Sequence, residues 1–391
     1  MDSLQRLKLP AKASVDLHSH LFMKKGLGWM FRGGFFGKLK ATNWKTRFSQ
    51  QTNPESLEKS GNHIVVAALY AHPLLNVSLK ESIRNQIIQA EEFVKKYQNW
   101  IIAKTAQEAV RALLENKKVL ILSLEGASGI LETEKDIEEF IDQKGIRIIT
   151  LLHFISDEIG GAAFLKEPAA LVSPLSFIRH RAKNLLHRDK HWDVDYKNNP
   201  IRLNDRGLTE HGKKLVSNLL KRKVWIDLSH SSDAVQEDLI VVLKQHGQPL
   251  LYTHTALRRY HGAERGISDK QLEEVKKSQG IVGILPSEWM LARTPVNGIN
   301  SFLMHYKEMI GCLGHPKYVS IGSDFNGCID HIKPTSDTKT TLDHRGFWNI
   351  GQTGEFWDIV LEQAKKYYTS NKEFVLSDTV LHFLQAWQQV G

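Results

Sequence analysis

Short runs of aliphatic and β-branched residues recur along the chain, set apart by segments in which apolar residues return every three or four positions. The runs are VDLHSH (15–20), HIVVAALYAH (63–72), KVLILSLEG (118–126), IRIITLLHF (146–154), VWIDLSH (224–230), PLLYTH (249–254), GIVGILP (280–286) and YVSIGSDF (318–325). Most are apolar at consecutive positions, as strands of a parallel sheet covered on both faces should be. The segment 78–98 lines up Ile83, Ile87, Ala90 and Val94 on one helical stripe. Helical patterns also occupy 105–117, 133–143, 209–223, 231–247 and 268–280, several opening on a Ser, Thr or Asp suited to capping, and 354–369 and 376–390 close the chain.

Eight strands alternating with helices predict an α/β fold, a (β/α)8 TIM-type barrel, with a doubly wound open sheet as the competitor. No linker, repeat or low-complexity stretch divides the chain, which predicts a single domain over 1–391. Two long insertions interrupt it: residues 21–62 after the first strand and 155–206 after the fourth. Connections of that length act as lids or carry small elements of their own.

The polar residues that close the runs change this picture. His18 and His20 end the first strand, Glu125 the third, His153 the fourth, His230 the fifth, His254 the sixth and Asp324 the eighth. In an extended strand, residues i and i+2 face one side, so His18 and His20 point at a common spot. A closed barrel gathers the C-terminal ends of all its strands around one mouth, whereas an open sheet keeps its first and last strands apart. The clustering of acids and imidazoles at strand ends therefore favours the barrel. Any one of these residues alone is as well explained by a structural hydrogen bond or a helix cap.

Imidazole and carboxylate without thiolate suit zinc or a similar borderline metal. Four histidines and one glutamate are too many for a single catalytic ion and enough for two. His18 and His20 would hold one ion, His230 and His254 the other, with Glu125 as the bridge. Two ions roughly 3.5–4 Å apart can share a water and hold it as hydroxide. Asp324 would then carry its proton to a leaving group. The fourth strand contains no lysine that could bridge instead.

Composition narrows the setting. The 391 residues are 41% hydrophobic and 24% charged, and no apolar run is long enough to span a membrane. The opening MDSLQRLKLPAKASVDL has no signal-peptide core, which reads as cytoplasmic, or as periplasmic or exported if a signal has been removed. The net charge of +9 is spread along the chain and accompanies no nucleic-acid module, so no nucleic-acid partner is expected. Cys312 and Cys328 flank a strand whose extended length, about 20 Å, puts a disulfide out of reach, so both are expected to be free thiols.

The segments DLHSH (16–20), SLEGA (123–127), TLLH (150–153), GLTEHGKKLV (207–216), IDLSHSS (226–232), YTHTALR (252–258), ERGISD (264–269) and IGSDFNG (321–327) resemble, in order and spacing, the membrane (renal) dipeptidase family, zinc dipeptidases of the amidohydrolase superfamily. The resemblance runs from residue 15 to about 330. It implies a barrel with two Zn2+ ions on His18, His20, Glu125, His230 and His254, and a dipeptide or similar small amide as substrate. It gives Asp324 the proton-shuttle role, and His153 and Arg265 the binding of substrate. Arg265 would offer a guanidinium fork to a carboxylate. A homodimer and a membrane contact are left open.

Three positions depart from the family pattern: His20 stands where Asp is usual, Asp157 where Asn is usual, and Asn326 where Asp is frequent. His20 and the two insertions keep another reading in play, a lactone, N-acyl amino acid or deamination substrate on the same metal site; a binding barrel without catalysis is a third reading. Residues 21–48 hold Lys24, Lys25, Arg32, Lys38, Lys40, Lys45 and Arg47 with no acid, interleaved with Phe22, Trp29, Phe31, Phe35, Phe36, Trp44 and Phe48. Such a segment can pack on the barrel top, form a lid or touch a membrane surface.

Overall fold

The computed structural model describes residues 4, 7–23, 50–72, 76, 78–165, 192–291, 296, 298–327, 329–330, 332–333, 346–365 and 374–391. Most of the basic aromatic segment 21–48, the middle of the 155–206 insertion and Cys328 lie outside the described residues. Cys312 is a free thiol, as expected.

The eight runs of the sequence all form strands: β1 (Ser14–Ser19), β2 (Asn62–Leu69), β4 (Lys118–Glu125), β5 (Ile148–Thr150), β8 (Trp225–Asp227), β9 (Leu251–Thr255), β10 (Ile281–Ile284) and β11 (Val319–Ile321). They pair in parallel in that order, and β1 also pairs with β11. The sheet therefore closes into the predicted (β/α)8 barrel, and the open sheet is ruled out. Closure brings Asp16 of β1 opposite Ile321 of β11.

Three short strands were not foreseen. β3 (Trp100–Ile102) pairs only with the first residues of β4, beside the ring. β6 (Trp192–Val194) and β7 (Pro200–Arg202) make an antiparallel hairpin near the end of the 155–206 insertion. Strands of three residues are too short to show a period. Helix Ile299–Leu313, between β10 and β11, was also missed; it starts after Gly298 without a side-chain cap, so the usual start signal is absent. The predicted helix at 133–143 forms as an α turn over Glu134–Ile137 that widens into a π segment over Glu138–Gln143. Among the described residues, no helix is long and apolar enough to cross a membrane.

Two apolar clusters hold the barrel together. The outward faces of the strands, such as Leu120, Leu122 and Leu124 of β4, pack on the surrounding helices. A second cluster collects Val15, Ile64, Val119, Ile121, Ile148, Trp225, Leu251 and Ile281 from seven strands. Helix Ser377–Val390 joins this cluster with Phe383, Leu384 and Trp387. The Trp225 and Phe383 rings lie 5.5 Å apart, and His382 Nε2 is 3.0 Å from the Gly280 carbonyl. The C-terminal helix thus plugs the end where the strands begin. Each large side chain buried there contributes roughly 1.5–3 kcal/mol. The opposite end is left for chemistry.

Candidate metal centre

All eight residues singled out in the sequence meet at the C-terminal mouth of the barrel. Glu125, the last residue of β4, is their hub and is 2% exposed. Its Oε1 lies 3.5 Å from His18 Nε2, 3.2 Å from His230 Nε2 and 3.3 Å from His254 Nε2. Its Oε2 lies 3.2 Å from His20 Nε2 and 3.6 Å from His153 Nε2. The i, i+2 pair behaves as the strand pattern requires, with His18 and His20 Nε2 atoms 3.4 Å apart. The Nε2 atoms of His230 and His254 are 2.9 Å apart.

Backbone geometry aims these groups. His230 and Asp324 follow their strands by three residues and sit at left-handed φ of 66° and 51°. Such conformations are uncommon for residues with a side chain and collect at functional sites. The Asp324 N–H donates to the His18 carbonyl at 2.8 Å, and the His20 N–H donates to the Phe325 carbonyl at 3.0 Å. This seam between the first and last strands puts Asp324 Oδ1 3.1 Å from His20 Nε2.

The charge states fit a cation site. Burial would raise the Glu125 pKa, but the neighbouring histidines, His153 foremost, hold it well below the usual carboxylate range. Burial would lower His20, yet hydrogen bonds to Asp324 and Glu125 push it up to about 10. Two carboxylates thus demand a positive charge at His20, which a proton or a metal ion can supply. Burial holds His230 and His254 well below the ordinary histidine value, leaving neutral rings with lone pairs to offer.

Donor chemistry and spacing agree with metal binding. Ligand atoms at 2.0–2.1 Å from a tetrahedral ion stand roughly 3.3 Å from one another. Two groups of that size share Glu125: His18 with His20, and His230 with His254. A third set, His18, Asp227 and His254, is also compact. However, Asp227 already accepts Thr150 Oγ1 at 2.5 Å and Thr253 Oγ1 at 2.6 Å on Oδ2, with the Ser229 and Thr253 N–H groups on Oδ1. A carboxylate so fully engaged has little left for an ion.

The groups expected to bind substrate border this cluster. Burial brings His153 down to about 4, and its ring lies 4.5 Å from Tyr70 and 3.7 Å from Phe154. Arg265 is 5% exposed, and burial lowers its guanidinium to about 10. Its Nη2 donates to the His254 carbonyl at 2.9 Å and lies 3.1 Å from His230 Nε2.

Three neighbours of the cluster, Asp227, Thr253 and Glu264, were not picked out from sequence. Asp227 and Thr253 lie within the barrel beneath the histidines; a charged residue in the middle of the apolar run VWIDL was the available signal. Glu264 accepts the Phe164 N–H at 2.8 Å on Oε2, and the Asn204 and Asp233 N–H groups at 3.0 and 2.9 Å on Oε1. It so fastens both arms of the 155–206 insertion beside Arg265, and burial pushes it up to about 8. Asn326, one of the three departures, donates from Nδ2 to the His20 carbonyl at 3.2 Å and accepts the Gln51 N–H at 2.9 Å. An aspartate there could not make the first bond. Asp157, another departure, accepts the Ile159 N–H at 2.8 Å and is raised to about 6 by burial.

Comparison with known proteins agrees with the resemblance read from the motifs. Residues 187–343 match the model of the membrane dipeptidase family, peptidase family M19. That stretch holds His230, His254, Arg265 and Asp324. Dipeptidase 3 of Macaca fascicularis is 27% identical over 137 residues, 35% of this chain and 27% of that protein. An uncharacterized dipeptidase of Schizosaccharomyces pombe is 23% identical over 259 residues, 64% of this chain and 52% of that one. The match thus spans from about a quarter to half of these curated relatives' length. Among solved structures, a metallo peptidase from Rhodobacter sphaeroides, liganded with a phosphinate mimic of the dipeptide L-Ala-D-Ala, superimposes with a TM-score of 0.68 at 16% identity, over 97% of this chain and 99% of that one. The probable dipeptidase PvdM of Pseudomonas aeruginosa gives 0.63 at 14% identity, over 100% of this chain and 96% of that one. At such identities the likeness shows the barrel fold.

Proposed function

We propose that this relative of the membrane dipeptidases is a single-domain metallo-dipeptidase that hydrolyses the peptide bond of dipeptides. The observation that carries the reading is Glu125 at the meeting point of two histidine pairs. His18 and His20 would hold one zinc ion, His230 and His254 a second, and Glu125 both. Bound zinc supplies Lewis acidity, making a carbonyl more electrophilic and water acidic enough to react near neutral pH.

The protein's own groups supply the rest. Asp324, 14% exposed at its side chain, is the carboxylate turned toward the open mouth. It takes the proton of the attacking water and passes it to the amine that departs. Arg265 pairs with the C-terminal carboxylate of the substrate, which restricts the enzyme to short peptides. His153, neutral at pH 7, borders the reacting carbonyl and donates a hydrogen bond to its oxygen.

The test is zinc-dependent release of free amino acids from a panel of dipeptides, with Asp324→Asn as control. Protein that binds two equivalents of zinc yet cleaves none of them would contradict the substrate. Turnover of lactones or N-acyl amino acids in that situation would select the alternative that His20 keeps open.

A further inference from the structure

We propose that Thr253 is a positioning residue that ties the two halves of the metal centre together, setting the ring tautomer of one ligand in each. The inference rests on His18 and His254 being ligands of different ions. Thr253 Oγ1 lies 2.6 Å from Asp227 Oδ2, 2.9 Å from His254 Nδ1 and 3.2 Å from His18 Nδ1.

A hydroxyl has one hydrogen to give and two lone pairs with which to accept. Asp227 is a buried carboxylate that can only accept, so the hydroxyl hydrogen goes to it. The two remaining lone pairs face the two imidazoles. Each ring must therefore carry a proton on Nδ1, which leaves Nε2, turned toward Glu125, as the nitrogen that can bind an ion. This is the form in which histidine binds a metal.

The hydroxyl has little freedom to do otherwise. Asp227 is held by Thr150 Oγ1 and by two backbone N–H groups, one of them that of Thr253. The Thr253 backbone is enclosed too: a Cβ on Gly283 or Gly322 would lie 2.0 or 1.9 Å from the Thr253 carbonyl oxygen. By contrast, the Nδ1 atoms of His20 and His230 have no hydrogen-bond partner among the described residues. One oriented and one unoriented histidine would thus serve each ion, and both oriented ones depend on a single hydroxyl.

The experiment compares Thr253→Val, which keeps the shape and removes the hydroxyl, with Thr253→Ser, which keeps the hydroxyl. Zinc affinities are measured by competition with a chromogenic chelator, and imidazole tautomers of the metal-free protein by 15N NMR. Thr253→Val is expected to weaken binding of both ions by about 10–100-fold, and Thr253→Ser to restore it. His18 and His254 are expected as Nδ1–H tautomers in the wild type and the serine variant, and to lose that preference in the valine variant. Loss of affinity for one ion only, or wild-type affinity for both in Thr253→Val, would overturn the proposal. So would Nε2–H tautomers of His18 and His254 in the wild type. Wild-type protein with Nδ1–H tautomers and no zinc uptake would instead defeat the dipeptidase reading and leave the hydroxyl's effect on the rings standing.

Discussion

Asp324 Oδ1 stands 3.1 Å from His20 Nε2, joining the last strand of the barrel to the first. A backbone hydrogen bond from Asp324 to the His18 carbonyl and a left-handed turn at Asp324 fix that approach. These contacts position the carboxylate to which the proposed mechanism gives the transfer of a proton.

Asp324→Asn keeps the shape and removes the base. Its kcat on a dipeptide should fall by about 10²–10⁴-fold. Zinc content and thermal midpoint should stay near wild type. Steady-state kinetics with elemental analysis of the same preparation checks this, and an active variant would remove Asp324 from proton transfer.

Glu125→Gln replaces an oxygen shared by both histidine pairs with an amide nitrogen that cannot accept. Zinc uptake should drop from two equivalents to one or none, read by mass spectrometry under native conditions. Full retention of two equivalents would show that Glu125 is not the bridge.

Arg265→Met removes the guanidinium and keeps much of the side chain's length. The KM for a dipeptide with a free carboxylate should rise at least tenfold, and that for the same dipeptide amidated at its C-terminus should hardly change. Equal effects on both substrates would argue against carboxylate binding.

Asn326→Asp loses the donor to the His20 carbonyl and sets a carboxylate against it. Leaving such buried groups unpaired costs about 1–3 kcal/mol. Urea denaturation should show that loss at neutral pH. No change in midpoint would mean that the seam between Gln51 and His20 does not depend on the amide.

His305, which is not one of the candidate metal ligands, gives the protein an acid-sensitive element. Its Nδ1 accepts the Leu257 N–H at 3.0 Å, and burial lowers its pKa to about 3. Between pH 6.5 and that value the unfolded chain binds a proton that the folded chain refuses. Stability is thus fully present above pH 6.5 and is lost as the pH falls toward 3, by up to about 1.4 kcal/mol per unit for this group. His382, lowered to about 4 mainly by burial, adds a loss of the same sign. Unfolding free energies at pH 7 and 5 should converge more closely in His305→Gln than in wild type. An unchanged difference would show that His305 does not contribute.

The chain's own order of residues settles the barrel and much of its mouth. Continuous apolar runs such as KVLILSLE announce buried parallel strands, and the imidazoles and acids closing them announce where chemistry collects. These features are local, and burial on both faces or an i, i+2 spacing leaves its mark within a few residues. Tertiary structure alone decided what depends on distant segments meeting. The hydroxyl of Thr253 faces two imidazoles only because β1 and β9 approach across the barrel interior. Glu264 fastens Phe164 and Asn204 only because the two described arms of the 155–206 insertion meet at it. Asn326 needs its amide because the chain around Gln51 returns to the end of β1. A side chain's type is written in sequence, but its hydrogen-bond partners are chosen by closure of the sheet, and closure has no signature at any single position.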